Sequence, residues 1–196
     1  MFRKISIFAL YALAVSILTG CGSTKPPAES WVLPKKESAD SAMLIGRIDY
    51  PDKKKDSTDT NTVYLSEVNF MRKDKVYFGN GEPNIELDNN YFVVPNIKPG
   101  KYWMMSFRTG KLFNQLPLYD DKYLVDVKAG QIIFVGSYDL FVYDSSFLGA
   151  HSYKFDIKKS DRPTELEMFK WLNRIGTGSG WEPAIKKRIR ELGGRP

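Results

Sequence analysis

The chain has 196 residues, with 29 basic and 23 acidic side chains, a formal net charge of +6, one cysteine and one histidine. A lone cysteine excludes an internal disulfide and a cysteine-built metal centre, and a lone histidine excludes a histidine-rich zinc site. The length suffices for one hydrophobic core of ordinary size.

Arg3 and Lys4 give the N-terminus its charge, and the fourteen residues from Ile5 to Leu18 carry none. That run suits the apolar core of a signal segment and falls short of the roughly 20 residues needed to cross a bilayer as a helix. It leads into Leu18-Thr19-Gly20-Cys21, which resembles the lipobox of bacterial lipoproteins. The resemblance implies removal of residues 1–20 by cleavage between Gly20 and Cys21. It also implies a diacylglyceryl thioether on the Cys21 sulfur, acylation of the new amino terminus, and no redox role for this thiol. By the family's sorting rule, Gly22 rather than Asp after the cysteine implies the outer membrane, with the periplasmic or surface face left open. One acyl chain holds a protein only marginally, whereas several hold it in effect permanently.

Residues 21–42 begin with the lipidated cysteine and continue with Ser, Pro, Lys, Glu and Ala among scattered apolar side chains. Such a composition buries too little surface to repay the entropy of ordering, which predicts a flexible tether. About 21 residues at 3.3–3.6 Å each reach roughly 70 Å when fully stretched.

From Met43 to Lys158 short β-type runs are punctuated by Gly, Pro, Asn and Asp without a helical period, which predicts an antiparallel β-sandwich. In the first strand Leu44, Ile48 and Tyr50 alternate with Ile45, Arg47 and Asp49, and Gly46 marks a bulge or a close approach. Val63 to Met71 forms the next strand, after a solvated loop (51–61) whose Lys53-Lys54-Lys55 run is balanced by aspartates. Lys98-Pro99-Gly100-Lys101 reads as a type II turn, with Pro presetting φ and Gly supplying the positive φ. It joins Tyr91–Ile97 to Lys101–Arg108, where Trp103, Met105 and Phe107 alternate with Tyr102, Met104 and Ser106. A second hairpin is expected at Lys128-Ala129-Gly130-Gln131, between Tyr123–Val127 and Ile132–Val135. Gly136 and Asp139 interrupt the aromatic run that follows, and Tyr153–Ile157 reads as the last strand.

The segments VPNIKPGKYWMMSF and VDVKAGQIIFVGSYDL are similar to the paired hairpins of transthyretin-like and carboxypeptidase regulatory-type β-sandwiches. The likeness implies a small sandwich, close in architecture to an immunoglobulin-like one, used for folding, assembly or binding. It carries no catalytic residue to any position of this chain.

Residues 159–196 change period and predict a C-terminal helical hairpin. Asp161, Pro163 and Glu165 supply a cap, an early proline and an acidic first turn for a helix ending near Ile175. Met168, Phe169, Trp171, Leu172 and Ile175 share a broad apolar face, with Glu167, Lys170 and Arg174 opposite. Gly176-Thr177-Gly178-Ser179-Gly180 reads as the turn into a second helix with Ile185, Ile189 and Leu192 along one stripe. It lacks the Gly-Lys-Ser/Thr ending of a phosphate loop.

Without residues 1–20 the chain keeps 27 basic against 23 acidic residues, and residues 159–196, with 9 basic against 5 acidic, hold the whole excess. Lys186, Lys187 and Arg190 occupy one flank of the last helix, suited to anionic lipid or an acidic partner, while Arg188 lies beside the apolar stripe. Four net charges are a faint footprint for nucleic acid. No catalytic residues, cofactor or metal site emerge. His151 lacks an identifiable acid-base partner, Asp120, Asp121, Asp126, Asp139 and Asp144 fall at strand ends and turns, and Asp88-Asn89-Asn90 has no EF-hand spacing. Tyr102, Trp103, Tyr138, Phe141 and Tyr143 divide between core and any exposed surface that could stack on sugar. The expected protein is a non-catalytic envelope lipoprotein that binds or helps assemble another envelope protein, or alternatively binds a glycan of the cell wall or surface.

Mass spectrometry of the membrane-extracted protein is expected to show a chain beginning at an acylated Cys21 and unreactive toward maleimide. An intact initiator methionine or a free thiol would contradict the lipobox reading.

Overall fold

The structure, a computed structural model, describes residues 32–49, 65–73, 87–88, 90–109, 112–117, 119–147 and 150–196. Residues 1–31, which include the expected signal segment, Gly20, Cys21 and the first part of the expected tether, lie outside the described residues, as do Tyr50, the lysine-rich loop and Asn89. The chain is mainly β, with two sheets and two C-terminal helices.

Strand β1 (Ala42–Asp49) is the centre of a five-stranded sheet. It pairs antiparallel with β4 (Tyr91–Ile97), which carries the short β3 (Leu87–Asp88) at its outer edge. On its other side β1 pairs with β8 (Ile132–Phe147), and β9 (Ala150–Ser160) closes the sheet antiparallel to β8. The second sheet is built on β5 (Gly100–Thr109), flanked on one side by β2 (Leu65–Arg72). The short strands β6 (Leu112–Gln115) and β7 (Leu124–Val127) pair with opposite ends of β5. Among the described residues every pair is antiparallel as expected except β1 with β8, which is parallel. A parallel pair cannot be closed by a tight turn and needs a long connection, which the whole second sheet provides here.

Both expected hairpins are corrected by the pairing. The Lys98–Lys101 turn joins β4 of the first sheet to β5 of the second, and the Lys128–Gln131 turn returns from β7 to β8. Each turn is therefore an arch between sheets, which pack about 10 Å apart. Strand, turn and strand look alike in sequence whether the strands lie side by side or face each other across a core. Here Val94 and Ile97 belong to the same buried cluster as Tyr102 and Met104, so the two strands face each other. The first arch is tied by the Tyr102 hydroxyl, which donates to the Lys98 carbonyl (2.9 Å). Gly100 has φ 153°, and a Cβ there would lie 2.8 Å from Arg72 Nε. In the second arch Gly130, at φ 71°, donates its N–H to the Asp40 carbonyl (3.2 Å).

Alternation along β5 also breaks. Ser106 pairs with Asn69 and Met104 with Phe70, leaving Met105 as an extra residue. That bulge reverses the phase, so Phe107 joins Tyr102 and Met104 in the core instead of sharing a face with Trp103. Ring contacts cross the core at Phe70–Phe92 (6.1 Å) and Phe107–Phe155 (5.7 Å). Strand β8 runs through Gly136 and Asp139 as one strand, with a register shift against β1 that leaves Val135 unpaired just before Gly136.

Strand β1 is buried on both faces. Ala42, Leu44 and Ile48 enter the core between the sheets, and the alternate residues Met43 and Ile45 are buried on the opposite side. The helices cover that side. Helix α1 (Glu165–Ile175) buries Met168, Phe169, Trp171 and Leu172, and Trp171 meets Tyr91 of β4 edge to face at 4.9 Å. Helix α2 (Glu182–Glu191) buries Ile185 and Ile189, with Trp181 fully buried at its start. The cap of α1 is Thr164, not Asp161. Thr164 Oγ1 accepts from the Glu167 N–H (3.3 Å) while Glu167 accepts from the Thr164 N–H (2.7 Å). This capping box satisfies two end donors at once and moves the start past Pro163.

Residues 32–41, assigned by composition to the tether, are docked as a strap. Leu33 is buried, and the Trp181 indole N–H donates to the Pro34 carbonyl (3.0 Å). The Lys36 ammonium lies 5.0 Å from the Trp181 ring centre. The Asn96 side chain donates to the Lys35 carbonyl (2.9 Å) and accepts from the Glu37 N–H (3.0 Å). Residues 32–196 form one compact unit.

Gly46 is the tightest point of the first sheet: a Cβ there would lie 2.7 Å from Phe92 Cε1 and 2.9 Å from the Gly136 carbonyl. Gly46→Ala is expected to lose about 1–3 kcal/mol by overpacking, read from the denaturant midpoint. Phe92→Leu should cost less in the Gly46→Ala background than in the wild type, and strict additivity would count against the clash.

Candidate functional site

An open groove of about 470 Å³ runs between α1 and the outer face of the first sheet, with Arg47, Tyr91, Arg162, Pro163, Glu167, Lys170, Trp171 and Arg174 as its lining. Arg47 shares the outward side of β1 with Met43 and Ile45, and just beyond the apolar patch it meets charge instead of hydrocarbon. Its guanidinium donates to Asp49 (2.5 Å), to Asp139 of β8 (2.9 Å) and to the Arg162 carbonyl (3.1 Å). The Ser137 hydroxyl donates to the Pro163 carbonyl (2.7 Å) and the Ser160 hydroxyl to the Arg162 carbonyl (3.1 Å). The segment before α1 is thereby fastened to β1, β8 and β9.

Arg162 in turn pairs with Glu167. The Glu167 carboxyl lies below its ordinary range, chiefly because the Thr164 N–H and hydroxyl donate to it, with Arg162 adding to the effect. Two of the four cations are thus engaged with carboxylates. Lys170 and Arg174, four residues apart on α1 and therefore on one face, are exposed and make no ion pair among the described residues. Beside them stand the half-buried Tyr91 and the buried Trp171. The groove offers unpaired positive charge next to apolar rings, and its one carboxylate already accepts hydrogen bonds. Such a surface suits an anion with some apolar content better than it suits proton transfer.

The expected basic flank of α2 is partly neutralised along its own helix. Lys186 pairs with Glu182 (2.6 Å) and Lys187 more loosely with Glu191 (3.8 Å), whereas Arg190 is exposed without an ion pair among the described residues. Lys186 and the Gly178 N–H hold the Glu182 carboxyl below its usual range. Arg188 bridges the two helices through Glu165 of α1 (2.9 Å) and also meets Glu191. The Gly176–Gly180 segment is the helix connection, as its composition predicts.

Of the expected aromatics, Tyr102 and Tyr138 are buried in the core. Trp103 is buried on the other face of β5, its indole N–H without a partner among the described residues. It meets Tyr119 at 5.1 Å and 84°, nearly perpendicular. Phe141 is half-buried beneath the Lys158 ammonium (4.9 Å). The side chains of Tyr143, Asp144 and His151 lie outside the described residues, and His151 stands opposite Ser146 in the β8–β9 ladder. Asp120 caps a turn by accepting from the Lys122 N–H (2.9 Å), and Asp139 serves Arg47. Among the described residues no three His, Cys, Asp or Glu side chains cluster closely enough to hold a metal ion.

The groove escaped sequence reasoning because Arg47, Tyr91 and Arg162 are far apart in the chain and no local motif joins them. One signal was present: Met43 and Ile45 make β1 apolar on both sides, so a second covering element was required. Comparison with protein-family models, curated proteins and solved structures returns no significant match.

Glu167 and Glu67 both have folded-state carboxyls below the ordinary value of 4.5. For Glu67 the leading cause is the hydrogen bond from Asn69, aided by Arg108. Depressed carboxyls contribute stability that is present above the unfolded value and is lost as pH falls through the folded one. Thermal midpoints are expected to hold near neutrality and to fall below about pH 4.5. Thr164→Ala should cost about 1 kcal/mol at pH 7 and make the acid-side fall shallower, measured by circular dichroism melts between pH 7 and 3.

Proposed function

We propose that this protein is a non-catalytic lipoprotein of the bacterial outer membrane, anchored through Cys21, whose body binds an acidic segment of another envelope protein in the groove beside α1. The anchor rests on the Leu18–Cys21 motif and the charge pattern ahead of it. The finer fold reading, a transthyretin-like or immunoglobulin-like sandwich, draws support from the core shared by two sheets and from Tyr102. A tyrosine at the start of a strand that has just changed sheets, bonded to backbone a few residues upstream, is a known corner device of such sandwiches. The observation that carries the binding reading is the pair Lys170 and Arg174, uncompensated beside the Tyr91–Trp171 ring contact.

The glycan reading draws on two exposed rings of the second sheet's surroundings, Phe113 (54 % exposed) and Tyr119 (64 %). Stacking on a sugar favours flat, accessible faces, and the perpendicular Trp103–Tyr119 pair supplies one such ring rather than a platform of two. The groove is therefore the better-supported site.

A photo-crosslinking residue at Lys170 in the full-length protein, used in intact cells, is expected to trap one recurrent envelope protein. Arg174→Glu should cut that adduct about tenfold, worth about 1.4 kcal/mol, without moving the melting temperature. Arg190→Glu should leave it unchanged. Absence of any protein adduct, or equal loss with both substitutions, would overturn the groove as the binding site.

A further inference from the structure

We infer that the α2 side of the helical layer is the membrane-facing side of the body and lies against anionic lipid headgroups. This rests on acylation at Cys21, and it is independent of what occupies the groove. The described chain begins at the helices and not at the sheets. Leu33 is buried, a Cβ at Gly176 would lie 3.3 Å from its Cδ2, and the Pro34 carbonyl accepts the indole N–H of the fully buried Trp181. Asn96 then grips the backbone on either side of Lys36, so the strap leaves the body at a defined place.

Eleven peptide steps separate Cys21 from Val32, and whatever path they take they cannot exceed about 40 Å. A lipid on Cys21 therefore pulls on the body at its helical layer. The opposite surface, the outer face of the second sheet, is farther from the attachment by the thickness of both sheets, which are spaced about 10 Å apart.

Charge acts in the same sense. Beyond residue 20 the whole positive excess lies in residues 159–196, and Lys187 and Arg190 project from α2 into solvent. Lys187 has only a loose contact with Glu191 (3.8 Å) and its side chain is 76 % exposed. Attraction between such groups and anionic headgroups extends about 10 Å at ordinary ionic strength, so of the surfaces that the tether can bring to the lipid it holds the one that carries the excess charge. Attachment point and charge agree on one orientation.

The test uses the full acylated protein, reconstituted into vesicles of phosphatidylcholine with about one third phosphatidylglycerol. A donor dye is placed at Arg195→Cys, next to α2, or at Gln115→Cys on the second sheet, with an acceptor on the lipid headgroups. Energy transfer from position 195 is expected to be at least about twofold greater than from 115, and Lys187→Glu with Arg190→Glu should narrow the difference, as should pure phosphatidylcholine. Equal or reversed transfer in protein that floats with the vesicles would overturn the orientation while leaving the anchor intact. Failure to float, with a free Cys21 thiol, would overturn the anchor and the orientation with it.

Discussion

The double burial of β1 is the constraint on which the architecture depends. A strand whose residues alternate Leu44 and Ile48 against Met43 and Ile45 has no side that can face water. One side requires the second sheet and the other requires the helices, so three layers follow from eight residues. Gly46 allows the layers to close, because Phe92 fills the space where a side chain would stand. Fully burying each of these aliphatic side chains contributes roughly 1.5–3 kcal/mol, and removal of either covering layer would expose half of them.

The same constraint creates the groove. Met43, Ile45 and Arg47 share one side of β1, so the apolar patch beneath α1 ends at a guanidinium. Asp49 and Asp139 compensate the Arg47 charge at the edge of the helical layer. Lys170 and Arg174 then stand over it without partners of their own among the described residues. The strap completes the layer from the other end, with Trp181 as the shared post between Pro34 and the start of α2.

Much of this organisation was legible residue by residue. The span of β4, the close approach at Gly46, the apolar face of α1 and the glycine-rich helix connection all express short-range physics, either backbone freedom or a period within one element. The departures of the structure from local pattern have a common origin. Lys98–Lys101 and Lys128–Gln131 read as hairpins in sequence because a turn's chemistry encodes a reversal of direction and not the identity of the neighbour. Phe107 was assigned to the wrong face because one extra residue, Met105, resets the alternation without leaving a mark in composition. Residues 32–41 were assigned to the tether because their few apolar groups look insufficient alone. Leu33 and the Pro34 carbonyl matter only where Trp181 waits for them.

By itself the sequence determined the mainly β character, the two terminal helices, the concentration of positive charge in the last 38 residues and the motif that ends at Cys21. These depend on neighbours within a few positions, or on plain counting. Tertiary structure alone decided which strands share a sheet, that β1 and β8 run parallel, that the strap docks and that Arg47, Tyr91 and Trp171 meet. Most of those outcomes depend on contacts between residues distant in the chain, up to 147 positions for Trp181 and Pro34, where the deciding energy is burial of one surface by another, and no local pattern records which surface that will be.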